Sequence, residues 1–319
     1  MIQHLIILLD DLSPSFCYYS NPSKSSKIIS ISELEKAADF CSKNGLYVSI
    51  VYGHQPLPKE YSQLLNKLPH SKIGPWNANK SDNNSLTVIN LEDLTHLRQQ
   101  KKIAKNVAIK IPLNKIENIR NYVGAIVGRC NRLNVIIEGL EYVENRHYEI
   151  VRNEINSLRD ELIKTITNKQ TEVNFITDLW LLSNMNNCNA GINHITLAPN
   201  GKFYICPGFY YSNERDSIGD VNNGIDIINR QLLEISHAPI CKNCDVYHCK
   251  RCVYLNKSTT LEINTPSIQQ CKISHIERNF SKEILEEVSK VSTKFNNIRR
   301  IESIAYEDPF EVLVNNNNH

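Results

Sequence analysis

Seven of the ten cysteines in this 319-residue chain fall between Cys188 and Cys271, and four of them stand in one run, CKNCDVYHCKRC, which holds Cys241, Cys244, Cys249 and Cys252. A Cys-x2-Cys step lets two sulfurs of one tight turn grip the same ion or cluster. These thiols sit among Lys, Asn, Asp, His and Arg rather than on an apolar face, which sets them apart from ordinary buried cysteines. In a reducing compartment such crowding marks metal ligands rather than disulfides. The spacing also bears on which metal. One tetrahedral zinc held by two knuckles needs an excursion of about 12 to 20 residues between them, whereas only Asp245 to His248 separate Cys244 from Cys249. Two adjacent clusters that divide the ligands fit better, three of the run with distant Cys271 and the fourth with Cys188 and Cys206. Iron-sulfur proteins share ligands across a run in this way. Zinc stays open as the alternative.

Other groups in the sequence invite chemistry. Asp10 and Asp11 end the first apolar run, where they would bind a metal or a peptide amine, or cap the amides of their own loop. Cys17 follows in that loop, as a vestige of a lost site, a redox-active thiol or a packed residue. His248, inside the cysteine run, is a candidate donor to sulfur or a further ligand, and His194 a weaker one of the same kind. Tyr18, Tyr19 and Tyr52 would line the mouth of a site or simply pack.

The elements that must position these residues alternate. HLIILL (4–9), LYVSIVY (46–52), LTVIN (86–90), VAIKIP (107–112), LNVIIE (133–138) and VNFIT (173–177) read as strands. Helices fall between them at about 31–44, 58–67, 91–102, 114–129 and 145–169, with a polar stretch at 70–85. Ser32, Glu33, Leu34 and Glu35 suggest a capping box, and Ile31, Leu34, Ala38 and Cys41 share one helical face. The stripe Tyr148, Val151, Ile155, Leu158, Leu162, Ile166 predicts one long amphipathic helix. Six strand-helix units imply a parallel sheet that could close partly into a barrel, with functional loops at the carboxyl ends of its strands. Ile195, Leu197 and Phe203, Ile205 around Pro199-Asn200-Gly201 predict a β-hairpin that ends at Cys206. A capping helix is expected over 281–298, then a disordered Asn-rich tail.

With 36 basic against 34 acidic residues, the charge balance calls for neither nucleic acid nor a membrane surface. No stretch approaches a membrane span and no signal peptide is evident, so a cytoplasmic protein is expected.

The order Cys188-x12-Gly201-x4-Cys206, a gap, Cys241-x2-Cys244-x4-Cys249-x2-Cys252 and a lone Cys271 resembles the SPASM domain of radical SAM peptide-modifying enzymes, although the family usually has x5 and x3 in the run. The resemblance implies two auxiliary 4Fe-4S clusters, one on Cys241, Cys244, Cys249 and Cys271 and one on Cys188, Cys206 and Cys252. The second set is one thiolate short, because LLSNMNN before Cys188 contains no cysteine, which suggests an open iron able to take a substrate thiolate. Gly53-His54-Gln55-Pro56 stands where that family has Gly-Gly-Glu-Pro for the methionyl amine of S-adenosylmethionine. Gln55 lacks the charge that would pair with an ammonium, and His54 is either a base or a filler of the cofactor's space. The loop after the first strand offers only Cys17 where the family has Cys-x3-Cys-x2-Cys, and one thiolate does not hold such a cluster. Ordinary cleavage of S-adenosylmethionine is therefore not expected, nor the cofactor itself.

HLIILLDDLSPSFCYYSNP, together with the cysteine pattern, is similar to the CXXX-repeat peptide maturase group, radical-SAM-like proteins that accompany a small ribosomal peptide of Cys-x-x-x units. This resemblance implies an α/β fold: a partial (βα)6 TIM-like barrel of radical SAM type over 1–180, a small SPASM-like domain over 181–279, and a capping helix with tail over 280–319. It implies an iron-sulfur protein that binds a cysteine-repeat precursor peptide at the barrel mouth, with Asp10, Asp11, Cys17 and His54 as candidate catalytic residues. Two alternatives follow: a non-catalytic peptide-binding partner of a true radical SAM enzyme, or a zinc-stabilised binding module.

Overall fold

The computed structural model describes residues 2–76, 84–100, 103–185 and 188–301. The Asn-rich tail, the end of the helix expected to reach 102 and part of the polar stretch at 70–85 lie outside the described residues.

Short, almost wholly apolar runs make strands that are covered on both faces. β1 (His4–Leu8), β2 (Tyr47–Val51), β3 (Ser71–Pro75), β4 (Ser85–Ile89), β5 (Asn106–Pro112), β6 (Arg132–Glu138) and β7 (Glu172–Val173) lie side by side in chain order, all parallel. β8 (His194–Leu197) adds to the other side of β1, also parallel, with His4 opposite His194 and Ile7 opposite Leu197. β9 (Phe203–Tyr204) returns antiparallel to β8 around the predicted Pro-Asn-Gly turn. The fold is thus mixed α/β, with one nine-stranded, mostly parallel sheet of order β7-β6-β5-β4-β3-β2-β1-β8-β9.

Two expectations about strands need correction. The polar stretch contains β3, whose Ile73 pairs with Val51 on one side and Leu86 on the other. VNFIT stays extended only to Val173, because the Asn174 side chain replaces the ladder: its amide oxygen accepts from Val135 N at 2.9 Å and its NH2 donates to Val135 O at 2.9 Å.

The helices are α1 (Ile31–Asn44), α2 (Lys59–Leu65), α3 (Leu94–Gln99), α4 (Ile119–Gly124), α5 (Asn145–Ser157), α6 (Arg159–Lys169), α7 (Thr177–Leu181), α8 (Pro207–Ser212), α9 (Val253–Thr260) and α10 (Ile268–Val291). Ser30, not the predicted box at Ser32, caps α1 by accepting from Glu33 N, and its buried face is Leu34, Ala37 and Cys41. The long stripe divides at Leu158 into α5 and α6, yet Val151, Ile155, Leu158, Leu162 and Ile166 all reach the core. α10 begins thirteen residues before the expected capping helix, because Ser267 caps it by accepting from Gln270 N, and it ends at Val291. Phe280, Ile284 and Val288 of α10 share a core with Leu162 and Phe175. Ser281 also donates to Ile176 O at 2.7 Å. Leu5, Ile7, Ile50, Ile195 and Phe203 belong to a second apolar cluster around β1, β2 and β8.

The loop from Asp10 to Asn21 folds back over the sheet instead of standing away from it. Its anchor is Lys110 of β5, 6 % exposed, which pairs with Glu138 of β6 and donates to Ser15 Oγ at 2.8 Å and Tyr19 O at 3.0 Å. Tyr19, itself buried, stacks on Tyr211 with ring centroids 5.7 Å apart. Removing one partner of such a pair leaves the other charge uncompensated. Lys110→Met is expected to cost about 3 kcal/mol in urea unfolding and to open 13–20 to limited proteolysis. Wild-type stability with an uncut loop would show that Lys110 does not anchor it.

Candidate metal centre

The structure sorts the predicted thiols into two groups. Cys241, Cys244, Cys249 and Cys271 line one cavity of about 850 Å3, together with Tyr148, Lys272 and His275. Cys241 and Cys249 lie near enough for their charges to interact with each other and with Cys244. Cys271 stands in the first turn of α10, and the neighbouring Gln270 donates its side-chain amide towards Cys249 Sγ at 3.9 Å. In the second group Cys252 interacts electrostatically with both Cys188 and Cys206, and Cys206 with Cys188. Cys252 caps α9, its sulfur accepting from Leu255 N at 3.5 Å. Cys206 occupies the same position before α8. A thiol at a helix amino end is placed where the amides and the helix dipole favour its anion.

A third cysteine segment meets the second group. Cys17 of the anchored loop interacts electrostatically with Cys188, Cys206 and Cys252. Its side chain is accessible rather than packed in the apolar core. Protein nevertheless surrounds it closely enough for desolvation to act on its thiol. Burial, reinforced by Cys188, pushes the Cys17 thiol up to about 12. Burial also pushes Cys241 up to about 12 and raises Cys188, Cys206, Cys249 and Cys252. Without a bound cation these sulfurs therefore hold their protons. No disulfide joins any of the ten cysteines. Among the described residues no three Cys, His, Asp or Glu side chains converge as one ion would require.

Between the two groups lies Arg251, the largest fully buried side chain of the protein. Its guanidinium donates to Leu233 O at 2.9 Å and Leu232 O at 3.2 Å through its two terminal nitrogens, while the buried Nε has no partner and the charge is not offset. The groups whose negative charge would offset it are Cys241, Cys188 and Cys249. It forms no ion pair with a carboxylate among the described residues. A buried, unpaired cation is costly, so the donor set fits ligands that are held as thiolates. Tyr18 also interacts with members of both groups, Cys249, Cys252 and Cys17.

The remaining candidates take other roles. Asp10 is buried, its carboxylate serving the Leu12 amide and the Ser13 hydroxyl, and burial raises its pKa. A Cβ on Gly53 would come within 2.1 Å of Asp10 Oδ2, so this carboxylate leaves no room for a side chain there. Asp11 accepts from the Tyr210 hydroxyl at 2.5 Å and thereby ties the first loop to α8. His54, Gln55 and Pro56 are exposed, so His54 does not fill packed space. His248 is 5 % exposed; Nε2 meets Glu277 at 3.2 Å while its Nδ1 has no partner. His194 sits at the start of β8 beside His4, and no thiol acts on it. Tyr19 is packing, and Tyr52 meets His70 Nε2 at 2.8 Å.

Sequence reasoning missed Arg251, Lys110 and the proximity of Cys17. Arg251 had a signal, since a basic pair inside CKRC lies between two ligand candidates. Lys110 also had one, a lone lysine inside the apolar run VAIKIP. Nothing local marks Cys17 as a neighbour of residues more than 170 positions away.

No protein-family profile matches the chain, and no curated protein matches its sequence. Among solved structures the fold is similar to that of native anSMEcpe with bound AdoMet and Cp18Cys peptide, with a TM-score of 0.58 over 91 % of this chain and 99 % of that one. At 13 % identity the likeness is one of fold.

Two outcomes follow. Burial, with a small contribution from His4, lowers His194 to about 4. The folded form therefore binds fewer protons than the unfolded chain between that value and the ordinary 6.5, and its contribution to stability, complete above about pH 6.5, is lost as pH falls towards 4. His194→Gln should flatten urea stability over this window by about 3 kcal/mol; parallel pH profiles for variant and wild type would refute it. Arg251→Met is expected to reduce bound metal per chain by at least half, with Arg251→Lys retaining more, as measured by elemental analysis. Equal metal in all three proteins would show that the buried charge does not serve the thiolates.

Proposed function

We propose that the protein is an iron-sulfur maturation protein that binds a cysteine-bearing ribosomal precursor peptide beside two clusters, in a reducing compartment. The single observation that carries this reading is the buried guanidinium of Arg251 between two separate groups of thiols. Cys241, Cys244, Cys249 and Cys271 are the ligands of one cluster, and Cys188, Cys206 and Cys252 contribute to the other. Thiols that ring a space, rather than converge on one point, suit a cluster in which each thiolate binds its own iron better than a lone tetrahedral zinc. The likeness of fold to anSMEcpe, whose structure contains AdoMet and a Cp18Cys peptide, supports a radical-SAM-like sheet with a SPASM-like cysteine segment and a peptide as the partner. No helix among the described residues is long and apolar enough to cross a membrane.

Ordinary reductive cleavage of S-adenosylmethionine is not part of this proposal. The first loop has one thiolate, Gln55 replaces a glutamate of the similar family, and Lys110, Ser15 and Tyr19 pack that loop against β5. In this chain the peptide would be held and oriented at the carboxyl ends of the strands, near the accessible Cys17, while the clusters would supply redox-active iron when present. The single-thiol loop also favours a second reading, a carrier that binds the precursor and passes it to a separate radical SAM enzyme.

Anaerobically purified protein should be brown and contain iron and acid-labile sulfide in about equal amounts, near eight of each per chain. Zinc without sulfide would overturn the proposal in favour of a zinc-stabilised module. A precursor with Cys-x-x-x units should bind with micromolar affinity in calorimetry, and its Cys→Ser version at least tenfold more weakly. Equal binding of both would remove the cysteine-directed role. A product formed only when a radical SAM enzyme is added would establish the carrier reading.

A further inference from the structure

We infer that Cys17, supplied by the loop after β1, is the fourth thiolate of the centre held by Cys188, Cys206 and Cys252, so that one cluster joins the parallel sheet to the cysteine-rich segment. The inference rests on the iron-sulfur reading above and adds to it the ligand that the cysteine-rich segment lacks.

Four observations converge on it. Cys17 is within electrostatic reach of all three partners, which are within reach of one another, so four sulfurs from distant parts of the chain are neighbours. The loop that presents Cys17 is fixed on both sides of it: Lys110 holds Ser15 Oγ and Tyr19 O, and Asn21 donates to Asp11 O and Ser13 O at 2.8 Å each. The Cys17 residue is exposed rather than packed in the apolar core. Lys250, whose charge acts on Cys17 and Cys188 and which also pairs with Asp178 at 3.6 Å, carries the carbonyl that accepts from Cys188 N at 2.9 Å, which joins the Cys188 segment to the cysteine run. The other claimant for the missing position, His248, hydrogen-bonds Glu277, whose charge acts on Cys249 of the other group.

Ligation is balanced without a further reagent. The Cys17 S–H bond breaks, its proton passes to solvent, and the sulfur lone pair bonds iron with no change of oxidation state. Four thiolates then complete the usual ligand count of a 4Fe-4S cluster, and no iron is left open for a substrate sulfur. The closed centre replaces the open iron that the cysteine pattern alone suggests.

The test uses full-length protein purified anaerobically as wild type, Cys17→Ala, Cys17→Ser and, as control, Cys41→Ala in the core. Cys17→Ala should lose between about a quarter and half of the iron, with one of two reduced-state EPR signals lost or converted to a three-iron type. Cys17→Ser should keep most of the iron with shifted g values, and Cys41→Ala should match wild type. Identical iron, sulfide and EPR spectra in Cys17→Ala and wild type overturn the assignment while leaving the two-cluster reading intact. Wild type without iron and sulfide overturns that reading and this one with it. Maleimide mapping of wild type supplies a test independent of any variant's folding: Cys17 should be protected in the native protein and labelled once the metal is stripped. Equal labelling before and after stripping also overturns the assignment.

Discussion

The cysteine-rich half of the molecule is organised by one charge that has nowhere else to go. Arg251 is wholly enclosed, and its hydrogen bonds to two backbone carbonyls leave a full positive charge in a medium that stabilises it poorly. Among the described residues, the negative charge in position to answer it is that of Cys241, Cys188 and Cys249. Neutral thiols would not, and burial alone keeps these thiols neutral. A bound metal reverses this, because ligation removes the protons and supplies the anions that the guanidinium requires. Under the proposed function, folding of residues 188–271 and metal uptake are thus one equilibrium. The positive φ of 40° at Arg251 belongs to the same arrangement: the backbone accepts a conformation worth roughly 1 kcal/mol of strain to turn this side chain inward.

The sheet performs the positioning. Because β8 pairs with β1 instead of lying in a remote domain, the chain that carries Cys188 and Cys206 starts beside the strand whose loop carries Cys17. Tyr210 of α8 donates to Asp11, which fastens the two segments a second time. On the far side α10 brings Cys271 and packs its apolar stripe on α5 and α6. Asp245, fully buried inside the cysteine run, pairs with Arg278 at 2.7 Å and Lys282 at 3.4 Å on that same helix. The run is therefore clamped to α10 by ion pairs as well as by packing.

Much of this was legible from the chain alone, and the failures have identifiable causes. Apolar runs such as HLIILL and VAIKIP announced a parallel sheet, since a strand buried on both faces has no polar alternation to hide behind. The division of the cysteines between two clusters is a reading of spacing and resemblance and belongs to the proposed function. β3 escaped because KIGP is short and embedded in polar residues, and only its neighbours on both sides make it a strand. The second β8 pairing escaped because a hairpin pattern specifies one partner and says nothing of the other edge. Asp10, Asp11 and Gly53 stand where sites are built; Asp10 accepts from its own loop, Asp11 from Tyr210 of α8, and the glycine leaves room for the Asp10 carboxylate. Arg251 and Cys17 depend on tertiary neighbours, which local pattern does not encode.

The likeness of fold to a structure that holds AdoMet and a peptide, at 13 % identity, separates two kinds of constraint. A sheet made of Leu, Ile and Val tolerates replacement of nearly every residue so long as volume and pattern survive. A ligand set does not, because three thiolates cannot be approximated by one. Here the loop after the first strand has one cysteine, Cys17; Lys110 and Tyr19 fix that loop, and Cys17 is within electrostatic reach of Cys252. Under the proposed ligation by Cys17, the loop would support the centre at the boundary between the sheet and the cysteine-rich segment instead of holding one of its own.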